Sequence, residues 1–189
     1  MTTIWCDTET TGLKPETGGA FEIAVLVAVD GRIISSQVFH LNPLSETIVY
    51  DSEAAKVHGV SEETIRAYPP CEMVITQLES LFCEVMEQYN GGQKMIFAGY
   101  KCGFDYDHLA ALFTRCGFKL SDYFCKQFDV MQMVKRAVAQ KVIPRMENLR
   151  LTTVCKGVGV ALENAHTALA DVEAARNVCI ALFKKGVKT

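Results

Sequence analysis

The chain predicts an α/β fold, a mixed sheet with helices packed on its faces, and three patterns predict it. An antiparallel meander opens the chain, Asp30-Gly31 supplies its tight turn, and from Met73 onward helix-period and strand-period segments alternate. At 189 residues the chain fits one domain spanning 1–189, since most domains hold ~100–200 residues.

Residues 2–7 read as a short strand, and the β-rich runs 21–29 and 32–40 flank the Asp30-Gly31 turn. Residues 51–58 and 61–67 read as short helices, with Ser61 as N-cap of the second and Pro69-Pro70 ending the region. Apolar residues at 74, 78, 81, 82, 85, 86 and 89 trace one helix face, terminated by Asn90-Gly91-Gly92. Met95-Ile96-Phe97-Ala98 reads as a buried strand. A helix carrying Leu109, Leu112 and Phe113 follows and stops at Gly117. Phe128-Asp129-Val130 reads as a last short strand, 131–140 as a helix, Pro144 as a break and 148–156 as a helix before Gly157. Residues 168–184 close the chain as a helix with Val172, Ala175, Val178, Cys179 and Leu182 facing inward.

Hydrophobic residues at 49% and charged residues at 22% exclude extensive disorder. The formal charge of −3 does not advertise a nucleic-acid binder, but the four carboxylates singled out below account for it, and without them +1 remains. Eight cysteines include no C-x-x-C pair and none at zinc-finger spacing to a histidine, so zinc is not expected. Cys83 in LFCEV and Cys179 in NVCIAL read as reduced core residues. The absence of a basic-then-apolar leader and of an apolar run near the ~20 residues that cross a bilayer points to a soluble, cytoplasmic protein with no membrane partner.

Asp7 and Glu9 lie two apart in a strand, so their side chains share a face at ~7 Å spacing. Uncompensated carboxylates repel one another, and oxygen-only sites of this kind suit magnesium or manganese. Asp105 follows the second buried strand at a helix start, where the helix dipole favours a carboxylate; Asp107 is the alternative ligand. His166 and Asp171 are five residues apart, ~140° around a helix, so they cannot share a face from within one. That places His166 on the loop after Asn164 and Asp171 in the first turns of the last helix.

Together these residues resemble the DEDDh family of 3′-5′ exonucleases. The motifs that carry the likeness are Asp7-Thr8-Glu9-Thr10-Thr11-Gly12-Leu13, Phe104-Asp105, and His166-Thr167-Ala168-Leu169-Ala170-Asp171. Phe21-Glu22-Ile23 and Val57-His58-Gly59-Val60-Ser61 add to it, and the likeness covers nearly the whole chain. It implies a ribonuclease H-like fold with a five-stranded mixed sheet, and release of 5′-mononucleotides from the 3′ end of single-stranded DNA or RNA or from a frayed end. It implies two divalent ions, Mg2+ or Mn2+, held by Asp7, Glu9, Asp105 and Asp171, with Asp7 shared and His166 as general base. Thr10, Leu13, His58 and Phe104 would contact the terminal nucleotide. A homodimer and a polymerase-associated form are both compatible with that family. The tyrosine subfamily would need Tyr where this chain has Thr167. In the second motif the family usually carries asparagine three residues before the phenylalanine, and this chain has Lys101, which leaves Asp105 and Asp107 open as ligands. Lys101 is then a candidate phosphate contact and Tyr100 a candidate stacking platform. A non-catalytic binding module on the same fold would be expected to have lost at least one of the five polar site residues, and none is missing. Release of labelled mononucleotide from a 3′-labelled oligonucleotide, with and without EDTA, would separate the exonuclease from that module and from a nucleotide-binding or phosphatase-like enzyme.

Overall fold

The computed structural model describes residues 1–163 and 165–187; Asn164, expected to open the loop before His166, lies outside the described residues. Strands β1 (Thr2–Thr10), β2 (Ala20–Val29) and β3 (Arg32–His40) form the antiparallel meander. Asp30 and Gly31 both hold positive φ, 48° and 81°, as a two-residue turn between twisted strands requires. Helices α1 (Ser52–His58), α2 (Glu62–Arg66) and α3 (Cys71–Asn90) lead to β4 (Met95–Gly99) and α4 (Gly103–Arg115). After β5 (Phe124–Asp129) come α5 (Val130–Ala139), α6 (Leu151–Val158) and α7 (Ala168–Lys184). The sheet order is β3-β2-β1-β4-β5, with β4 parallel to both β1 and β5.

Two cores sandwich this mixed sheet. Ile4, Cys6, Val25 and Phe97 pack against Leu78 and Phe82 of α3 and Leu109 and Phe113 of α4. On the other face Trp5, Leu26 and Ala98 meet Val134 of α5, Val154 of α6 and Val172 and Val178 of α7. Fully burying each Val, Leu, Ile or Phe side chain among them is worth ~1.5–3 kcal/mol. Successive strand residues point to opposite faces, so Trp5, Asp7 and Glu9 share the α7 face while Cys6 and Thr8 share the α4 face.

Four expectations are corrected. β1 runs to Thr10 rather than ending at residue 7, because β2 pairs with it as far as Thr10 opposite Ala20, so both carboxylates stand inside a paired strand. The last strand is Phe124–Asp129, drawn on by pairing to β4, and Val130 instead opens α5, capped by the Asp129 side chain. Residues 148–150 stay outside α6, which runs on to Val158. Cys83 is exposed and donates to Glu79 on the outer side of α3, and Tyr89 is also exposed, because α3 buries only the narrower stripe through Val74, Leu78, Phe82 and Val85. All eight cysteines are free. Among the described residues no helix is long and apolar enough to cross a membrane.

Candidate active site

The carboxylates converge because two elements on one face of the sheet present them together. α7 is capped by Thr167, whose side-chain oxygen accepts from Ala170 N–H, and packs on β1 and β2 through buried Ala168, Val172 and Ala175. Asp171 lies three residues from Ala168 and four from Ala175, so it rides on the same helix face and is carried to the sheet. One oxygen each of Asp7, Glu9 and Asp171 lies within 4.8 Å of the others.

Asp105 arrives by a different route. β4 pairs with β1 only as far as Trp5, so beyond that point the β1 edge has backbone groups with no strand partner. α4 fills the gap: Asp105 Oδ1 accepts from Thr8 N at 3.0 Å and from Thr8 Oγ1 at 2.9 Å. The chain passes close enough to do this only because residue 99 is glycine, where a Cβ would meet Cys6 O at 2.6 Å. Asp105 is 3% exposed, whereas Asp107 is exposed on the outer side of α4, which distinguishes the two candidates by position. Asp105 neighbours Asp7 without joining the three-carboxylate group.

Burial pushes the Asp7 carboxyl well above the usual range, with Asp105, Asp171 and Glu9 adding repulsion. Burial likewise raises Glu9 to about 7, helped by Asp171, Glu22 and Asp105. Asp105 is also raised to about 7 by burial, although the Thr8 hydrogen bonds pull it back. Asp171 is raised by burial against a backbone hydrogen bond from His166 and the nearby imidazole, and its Oδ1 is buried with no partner among the described residues. An oxygen-only donor set, ionised at a cost and with an orphaned acceptor, fits a hard divalent cation.

A pH dependence follows. Between the ordinary carboxylate values of 3.8 and 4.5 and about 7, the folded protein holds protons on Asp105 and Glu9 that the unfolded chain has released. Stability therefore falls as pH rises through that window. The melting temperature of EDTA-treated protein is expected to be lower at pH 8 than at pH 5, and millimolar Mg2+ at pH 8 to raise it again by binding the native state alone. A metal-free melting temperature that climbs over this range, or no magnesium response, would count against the carboxylate site.

The surrounding side chains fall in varied places. His166 is exposed, holds a φ of 73°, and lines a 470 Å³ cavity with Asp171, Tyr100, Lys101, Arg150 and Thr152. Lys101 is exposed at the same cavity, with its backbone N–H on Asp129 Oδ1 at 2.9 Å and φ of 56°. Asparagine enters that left-handed region more readily than most residues, which gives the family's usual asparagine here a backbone reason. Tyr100 is 8% exposed and its hydroxyl donates to Leu149 O at 2.6 Å, so its ring is a wall of the cavity and the open stacking platform is corrected. The Thr10 hydroxyl is spent on Gly12 O at 2.9 Å. Leu13 and Phe104 are exposed, at 78% and 36%. His58 Nδ1 accepts from Val60 N, which puts the proton on Nε2, and that buried atom has no partner among the described residues.

Glu22 is the residue that sequence reasoning passed over. It stands opposite Glu9 in the β1–β2 register, accepts from Ala168 N at 2.8 Å, and pairs with His40 Nε2 at 3.1 Å. It thus ties the first residue of α7 to the sheet. The one signal for it was a charge set among the apolar residues of Phe21-Glu22-Ile23, which without the register has no partner.

Comparison with known proteins agrees with this architecture. The RNase T family model, described as Exonuclease, matches residues 4–179. Ribonuclease T of Buchnera aphidicola subsp. Baizongia pistaciae is 27% identical over 185 residues, covering 91% of this chain and 79% of that one. A PolC-type DNA polymerase III of Bacillus cereus is 24% identical over 181 residues, 94% of this chain but 11% of the polymerase. The crystal structure of E. coli exonuclease I in complex with a dT13 oligonucleotide shares the fold, with a TM-score of 0.81 at 20% identity. That match covers 98% of this chain and 41% of exonuclease I, so the chain spans about two fifths of that enzyme's length.

Proposed function

The chain belongs to the exonuclease family, as a 3′-5′ exonuclease of the DEDD type, and we propose that it releases 5′-mononucleotides from single-stranded nucleic acid or frayed 3′ ends. It does so with two divalent metal ions, Mg2+ or Mn2+, and with His166 as general base. The observation that carries this reading is the convergence of Asp7, Glu9 and Asp171 to within 4.8 Å, with Asp105 beside Asp7 and His166 on the rim. Asp7, Glu9 and Asp171 would hold one ion, and Asp7 with Asp105 would hold the other. When bound, two ions supply positive charge to both the attacking and the leaving oxygen of an in-line displacement.

The protein's own residues do the rest. His166 takes the proton from the attacking water on its imidazole, and its loop position leaves that ring open to solvent for the return of the proton. The His166 backbone is tied to Asp171, so base and carboxylate are placed by one stretch of chain. Leu13, Phe104 and the free His58 Nε2–H contact the terminal nucleotide. The deciding experiment follows labelled mononucleotide released from 3′-labelled single-stranded DNA and RNA, with and without EDTA. Release from the 3′ end that stops in EDTA is expected; internal cleavage or EDTA resistance would overturn the reading.

Lys101 and Arg150 stand at the cavity beside His166 and Asp171, and neither is in an ion pair among the described residues. Lys101 holds a phosphate upstream of the scissile bond. Lys101→Ala is expected to flatten the slope of log affinity against log salt by ~0.7 on a single strand, measured in calcium to prevent cleavage. An unchanged slope would return Lys101 to the solvated surface.

A further inference from the structure

α4 buries a histidine that the chemistry above leaves unused. His108 is 1% exposed, and both of its ring nitrogens face carbonyl oxygens. Nδ1 lies 3.0 Å from Phe104 O, one helical turn back, and Nε2 lies 3.2 Å from Gly12 O, which is 96 residues away in the chain. A carbonyl oxygen cannot donate, so every bond here is made by the imidazole: a ring with one N–H satisfies one oxygen, and a ring with two satisfies both.

The two carbonyls belong to functionally placed backbone. Gly12 O is also the acceptor of the Thr10 hydroxyl, so the peptide that joins Gly12 to Leu13 is gripped from two sides. Leu13 follows at 78% exposure, a large apolar side chain presented to water from an anchored turn. On the other side of His108, the Phe104 ring packs with its centroid 4.3 Å from the imidazole, tilted by 43°. One buried ring therefore joins the two exposed apolar residues that flank the carboxylates.

We propose that His108 is a positioning residue for substrate, holding Leu13 through Gly12 O and Phe104 through its ring and backbone so that the two grip the terminal base. This rests on the exonuclease reading above. A residue that only fills the core would change the melting temperature without separating KM from kcat. A residue that sets the grip acts on ground and transition states alike, so its loss falls on KM.

The test compares His108→Leu, His108→Gln, Leu13→Ala and the double variant His108→Leu/Leu13→Ala. Turnover is measured on a single-stranded oligonucleotide and affinity in calcium. His108→Leu is expected to raise KM and the calcium-held Kd ~10-fold, the scale of one lost buried hydrogen bond to a charged or polar partner. Its kcat is expected to stay within about twofold of wild type. His108→Gln, whose amide N–H can reach toward Gly12 O, is expected to recover most of the loss. Leu13→Ala is expected to weaken binding strongly alone and little on top of His108→Leu, as residues acting as one unit do. Should His108→Leu fail to fold, His108→Asn, which keeps a donor near Phe104 O and loses the reach to Gly12 O, carries the same expectation. Unchanged KM, or additive losses with Leu13→Ala, would overturn the positioning role. If no mononucleotide is released by any variant yet the calcium-held affinities show the expected pattern, the positioning role stands and the exonuclease reading fails.

Discussion

Asp7→Asn is expected to abolish hydrolysis and at the same time to stabilise the metal-free protein. The carboxyl of Asp7 is raised by burial and then by Asp105, Asp171 and Glu9, so its charge is carried at a cost in the absence of a cation. Asparagine keeps the shape and removes that charge, which relieves the repulsion and is expected to raise the metal-free melting temperature by a few degrees, the scale of ~1 kcal/mol in a domain of this size. Catalysis moves the other way. In the proposed mechanism Asp7 would be the ligand that both ions share, and losing several kcal/mol of transition-state stabilisation would slow turnover roughly a thousandfold or more. Turnover above a tenth of wild type in magnesium, or a lowered metal-free melting temperature, would remove Asp7 from the proposed role.

His166→Ala is expected to lower turnover by ~10²–10⁴-fold and to leave the metal response intact. The imidazole is on the rim and outside the three-carboxylate group, while the contact from residue 166 to Asp171 includes a backbone bond that survives side-chain truncation. The variant should still show the magnesium-induced rise in melting temperature and still bind an oligonucleotide in calcium, because a base acting in the transition state contributes little to ground-state binding. A variant that loses the magnesium response would make His166 a ligand.

Most of the fold and the polar residues of the candidate site could be read without coordinates. The period-2 runs, the Asp30-Gly31 turn and the apolar stripe of α3 are local patterns, and each element formed where its pattern lay. Asp7 and Glu9 shared a face because strand geometry leaves no alternative, and His166 stayed on the loop while Asp171 entered the first turns of the last helix, because a five-residue spacing cannot be met on one helical face. The misplaced boundaries share a cause. β1 and β5 extend as far as a neighbouring strand offers hydrogen bonds, and a neighbour's length is not written in the strand itself.

By itself, then, the sequence determined the element order, the α/β class and a set of carboxylates whose spacing asked for a cation. The tertiary structure alone set Asp105 apart from Asp107 in position, burying the first against Thr8 and leaving the second exposed, because the pairing of β4 with β1 ends at Trp5 and leaves Thr8 N–H for a side chain to take. It alone placed Glu22 across from Glu9 and His108 between Gly12 and Phe104, since both roles arise from register and from contacts between residues far apart in the chain. Tyr100 changed from platform to wall for the same reason: burial is a property of what packs around a residue, and Leu149, which binds its hydroxyl, lies 49 residues away.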